Sequence, residues 1–167
     1  MNNIVGLLFI ILFGGAGLIS IFAIVNLVLP APVERARLAL ETSLGRSLLL
    51  GVVNFLFAGV VGAALALPIR AGGIVAGIFV FLIALIALAV VAFILFGLVA
   101  ISSMLGGRMG ETKSPVAAHV RGGGLLLLAC LTPYFGWFVF TPLVLWTALG
   151  AAIQTVFRKK EKVTEEK

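Results

Sequence analysis

From Ile74 to Ile101 the chain runs 28 residues without a charged, Asn, Gln or His side chain. No other feature limits the fold so strongly. As an α-helix at about 1.5 Å per residue this stretch is roughly 42 Å long, longer than the ~30 Å hydrocarbon core of a bilayer. Within lipid only a helix or a closed barrel satisfies all of its backbone groups. The stretch therefore reads as a transmembrane helix that tilts or protrudes. The rest of the chain repeats the pattern. Of 167 residues, 62% are hydrophobic and 11% charged, where a soluble domain has about 45–50% and about 25%. The polar stretches are too short to enclose a core of their own. The expected fold is an all-α integral membrane protein, a helical bundle of four to five transmembrane segments with the last two as a hairpin.

Prolines and charges punctuate the spans. The first covers about residues 4–29 and ends at Pro30 and Pro32. It is too long for a cleaved signal peptide and no Lys or Arg precedes it. Residues 33–46 place Val33, Ala36, Leu40 and Leu44 on one face and Glu34, Arg37 and Glu41 on another. This pattern predicts a short helix lying in the membrane interface, with a polar connecting turn as the alternative. The second span is 47–67, closed by Pro68 and Arg70, and the third is 74–101. Ser102 to Arg121 reads as a Gly-rich loop, with Ser114-Pro115 as a helix start. The mostly apolar run from Pro115 to Phe157 is too long for one span, and Pro133-Tyr134-Phe135-Gly136 interrupts it. The expectation is a hairpin, spans 115–132 and 137–157 joined by a turn at Pro133, Tyr134, Gly136 and Trp137. Gly136 would adopt a positive φ, and the aromatic pair would sit at the outer interface. A loop that re-enters and turns inside the membrane is the alternative. Residues 158–167 form a charged tail.

The formal charge of +6 is topological information. Basic residues crowd into the first loop (Arg35, Arg37, Arg46), the third loop (Arg108, Lys113, Arg121) and the tail, against one, Arg70, in the second loop. The positive-inside rule then places the N-terminus outside and the first loop, third loop and tail in the cytoplasm. A multi-pass protein of the cell membrane results, with anionic lipid headgroups as partners near Arg35, Arg37, Arg46 and the basic tail. Nucleic acid is not an expected partner.

Small residues recur at four-residue spacing: Gly73 and Gly77; Ala58, Gly62 and Ala66; Ala148 and Ala152. Such rows let helices approach closely in lipid. Chemistry-bearing residues are sparse. Asn26 and Asn54 suit interhelical hydrogen bonds, with a substrate or ion role as the alternative. His119, the one histidine, cannot supply both axial ligands of a bis-His haem. It is left as an interfacial residue, a pigment ligand or a quinone contact. Cys130 has no second cysteine for a disulfide and reads as a buried small residue. No Cys/His/Asp/Glu cluster has zinc spacing, and no nucleophile has a base partner. No catalytic residue, metal or cofactor is expected.

Two stretches carry a resemblance: Gly45-Arg46-Ser47-Leu48-Leu49-Leu50-Gly51 opening a span, and Leu125 to Leu128 followed by Thr132-Pro133-Tyr134-Phe135-Gly136-Trp137. Over about residues 33–157 the chain resembles the multi-spanning membrane module associated with bactofilin-type polymer-forming proteins. That resemblance implies a membrane-embedding role without catalytic residues. The leading expectation is a non-catalytic accessory subunit of a larger membrane complex, by analogy one of respiratory or photosynthetic electron transfer. The alternatives are an anchor or adaptor for a bactofilin-type cytoskeletal polymer and a small transporter or channel with Asn26 or Asn54 lining its path.

Overall fold

The computed structural model describes residues 2–110 and 115–165. Among them the chain is all-helical: α1 (Asn2–Val28), α2 (Pro30–Thr42), α3 (Leu44–Ala66), a 3-10 turn (Leu67–Ala71), α4 (Gly73–Arg108), α5 (Pro115–Leu131), a π-helical turn (Gly136–Phe140) and α6 (Thr141–Glu165). Three stretches are long and apolar enough to cross a membrane: Leu44–Arg70, Gly73–Arg108 and Gly136–Val156. A fourth is gained if the bent pair Phe13–Val28 and Pro30–Thr42 counts as one span.

The α1–α2 bend of 107° follows from local chemistry. Leu29 precedes Pro30, whose ring disfavours helical geometry one residue earlier, and Leu29 sits at φ −128°, ψ 55°. Pro30 itself opens α2, where a missing N–H costs nothing. The expected interfacial helix at 33–46 is thus shifted: it spans Pro30–Thr42, and Leu44 to Arg46 belong to α3. The break falls at Ser43 (φ −157°, ψ 72°). Val33, Ala36, Ala39 and Leu40 of α2 are buried; Leu44, which the spacing places on the same face as Val33, Ala36 and Leu40, is exposed and opens α3.

Ser102 to Arg108 is not a loop. It is the end of α4, a helix of 36 residues and about 54 Å. Nearly every residue from Gly97 to Gly106 is buried, enclosed mainly by α2, α5 and α6. The glycines that suggest a loop are here for close contact. Ser114, the expected N-cap, lies outside the described residues. At the other end of α4, Gly72 and Gly73 both take positive φ (72° and 63°) and turn the chain from the 3-10 turn into α4.

The core sits at one end of the molecule. It joins Phe22 of α1, Val33, Ala36 and Leu40 of α2, Leu98 to Ile101 and Met104 of α4, Leu126 of α5, and Ala148 and Ala151 of α6. Between Gly51 and Gly97 no described residue is buried. That stretch holds the second half of α3, the turn and the first two-thirds of α4. It carries exposed Phe57, Val60, Ile74, Phe81, Leu85 and Leu88. A water-soluble monomer rarely shows a contiguous apolar patch of more than a few hundred Å².

Candidate functional site

Three helix crossings are built on glycine. In α3, a Cβ at Gly51 would fall on the carbonyl oxygen of Trp146 in α6; in α6, one at Gly150 would fall on that of Ser47. The same reciprocal fit joins α4 and α5, where Gly106 faces the Ala118 carbonyl and Gly122 that of Ser102. Gly97 of α4 rests on the Ala148 carbonyl. As the position rises along α3 it falls along α6, so this pair is antiparallel, and α4–α5 is antiparallel by the same test. The underlying pattern, Ser47-x3-Gly51, Ser102-x3-Gly106 and Ala118-x3-Gly122, stands in the sequence but is easily passed over beside the more conspicuous Gly/Ala rows.

Of those rows, Ala148 and Ala152 are fully buried. Nothing lies within 4 Å of a Cβ at Gly62 or Gly77, Ala66 is exposed and Ala58 half-buried. Gly73, the first residue of α4, has positive φ and likewise nothing within 4 Å of a Cβ. The chain's own packing thus uses one row and leaves the faces of Gly62 and Gly77 open.

One polar junction ties α3 to α6. Gln154 donates through Nε2 to Ser47 Oγ at 3.0 Å, and the buried Ser47 hydroxyl donates to the Ser43 carbonyl at 3.3 Å. An interhelical bond of this kind contributes about 0.6–2 kcal/mol in a membrane. Asn54 does not bridge helices: its Nδ2 donates to the Leu50 carbonyl one turn back, at 2.8 Å. On α2, Arg37 is held by Glu41 at 3.0 Å and Glu34 at 3.7 Å, and its guanidinium lies against Gly107 near the C-terminal end of α4. There it complements the partial negative charge of the helix end.

The interruption after α5 is real but differs from expectation. Tyr134, not Gly136, takes the positive φ, at 64°. Gly136 is buried, and a Cβ there would press on the carbonyl oxygens of Ala129 and Cys130. Its glycine character therefore serves contact between the start of the π-helical turn and the end of α5. Pro142 cannot donate a backbone hydrogen bond. Just before it, Thr141 returns both its N–H and its hydroxyl to the Gly136 carbonyl, which widens one turn to a π-helix. Tyr134, Phe135, Trp137 and Phe138 are exposed. The apolar part of α5, Val120–Leu131, rises only about 18 Å, so α5 is shorter than the full span expected at 115–132.

A cleft of about 500 Å³ opens between α2, α4 and α6, lined by Pro32 and Arg35, Phe93 and Phe96, and Thr155 and Val156. Cys130 is half-buried. The side chains of His119 and of the basic tail lie outside the described residues, although α6 remains helical to Glu165. Among the described residues no three His, Cys, Asp or Glu side chains gather as metal ligands do. Comparison with family models, curated proteins and solved structures finds no match for this chain.

Proposed function

We propose that the chain is a non-catalytic structural subunit of a larger membrane assembly. It is integral to the membrane, with its N-terminus outside and its C-terminus in the cytoplasm. The observation that carries this reading is the asymmetry of the packing. The chain closes its own core with Gly51, Gly97, Gly106, Gly122 and Gly150 in intimate contact, yet leaves Gly62 and Gly77 facing open space on the hairpin of α3 and α4. In lipid a small-residue face gains stability when another helix backbone comes close to it. Between Gly51 and Gly97 this hairpin buries no described residue and so has surface for such a partner.

The helix directions support the proposed orientation. Gly15 lies by Leu127, and Gly123 by Phe22 and Ile19, so α1 runs antiparallel to α5. The 3-10 turn joins α3 and α4 as neighbours and makes them a hairpin. With the antiparallel α4–α5 and α3–α6 pairs, all six helices fit one scheme in which α5 enters and α6 leaves on the same face as α2. That face holds Arg35, Arg37, Arg46, Arg108 and Arg121, the segments that the positive-inside rule keeps in the cytoplasm.

A photoreactive benzophenone residue placed at Gly62 or Gly77 tests the reading in native membranes. The expected product is one discrete protein–protein adduct from each position. Lipid adducts alone at both positions would contradict a subunit role.

A further inference from the structure

The cleft between α2, α4 and α6 is apolar within and charged at its rim. Phe93 and Phe96 of α4, Ala152 and Val156 of α6, and Pro32 of α2 supply hydrocarbon walls. The hydroxyl of Thr155 is already committed to the Ala151 carbonyl at 2.8 Å. Arg35 is exposed and supplies the charge. Its neighbours Glu34 and Glu41 both serve Arg37, and among the described residues no carboxylate pairs with Arg35. With no such carboxylate among the described residues, its planar fork is open to a phosphate or carboxylate.

The size and lining narrow the occupant. About 500 Å³ falls within the range of small-ligand sites, roughly 300–1,000 Å³. It is too small for a helix about 10 Å across. A water-soluble anion would gain nothing from the phenylalanine walls. α2 turns 107° from α1, so if α1 crosses the bilayer, α2 lies close to the membrane plane at headgroup height. We infer that the cleft binds one anionic phospholipid, its phosphate on Arg35 and an acyl chain laid between α4 and α6 against Phe93 and Phe96. This inference rests on the membrane reading above. Such a lipid would tie α2 to the bundle at a place where protein packing leaves a gap.

The test uses the full-length chain in vesicles of phosphatidylglycerol and phosphatidylcholine, followed by native mass spectrometry of the lipid retained after extraction. The unmodified chain should retain phosphatidylglycerol in preference to phosphatidylcholine. Arg35→Gln should cut that preference about fivefold, the effect of roughly 1 kcal/mol for one basic group at a membrane surface. Arg46→Gln, at an exposed arginine outside the cleft, should leave it within about twofold. Ala92→Trp, which fills the cleft from α4, should abolish retention of either lipid while helical circular dichroism stays unchanged. If that variant loses helix content, Ala92→Leu makes the same comparison with a smaller group. Equal losses in Arg35→Gln and Arg46→Gln, or none in Arg35→Gln, would overturn the site. Resistance of the chain to alkaline carbonate extraction separates the two readings. A chain that washes off overturns membrane integration and the site with it. One that stays, without an Arg35-dependent preference, overturns the site alone.

Discussion

At Gly51 one methyl group separates a closed α3–α6 crossing from an open one. Its Cβ would land on a backbone oxygen of Trp146, and backbone cannot swing aside as a side-chain tip can. Gly51→Ala should therefore destabilise the chain by about 1–3 kcal/mol, the usual cost of forcing extra volume into a packed site. Gly62→Ala, with nothing within 4 Å, should change the stability of the isolated chain by less than about 0.5 kcal/mol. Thermal unfolding in detergent, followed by helical circular dichroism, distinguishes them; equal shifts would mean that the crossing is not held by this contact. The sequence marks small residues at four-residue spacing but not which rows the chain uses. A partner in the same chain and one outside it make the same demand on composition, because lipid and protein interior are both apolar. Ala148 and Ala152 are buried. The serine–glycine pairs of α3 and α4 are not legible, because Gly106 stands among Gly107, Arg108 and Gly110, where glycine ordinarily signals a loop.

Element boundaries follow chemistry of unequal visibility. Pro30 and Pro68 can be read directly, since proline fixes its own φ and constrains the residue before it. The break at Ser43 carries no such mark, so the interfacial helix is placed a few residues too far along. The turn after Leu131 is visible from Pro133, but its backbone is not: Tyr134 takes the left-handed conformation, while Gly136 packs against the end of α5. The proposed position of α5 and α6 relative to the membrane rests on the charge pattern. In a Cys130→Ala background, single cysteines at Asn3, Met109 and Thr164 report it. An impermeant maleimide applied to intact cells should label Asn3→Cys and spare Met109→Cys and Thr164→Cys. Labelling of Thr164→Cys from outside would mean that α5 and α6 together cross the membrane once, and would contradict a return to the cytoplasmic face.

As a whole molecule the chain is lopsided. Its core gathers Phe22 of α1, α2, the start of α3, the end of α4, and the α5 and α6 helices, while the part of the α3–α4 hairpin between Gly51 and Gly97 extends from it with no described residue buried. Such a shape suits a peripheral subunit that anchors itself by its core and offers its hairpin to a neighbour. The helical class is legible from hydropathy; the count is less so, since four to five spans are expected and the described residues hold three long apolar helices, or four with the bent α1–α2 pair. The lopsidedness is not, since exposure to lipid and burial in protein select the same residues. Native mass spectrometry after mild extraction tests the central claim most directly. The expected result is a complex heavier than the 17.5 kDa chain, with a partner protein in fixed stoichiometry that Gly62→Leu releases while the chain itself stays helical. A 17.5 kDa chain emerging alone or with lipid only, before any substitution, would contradict it.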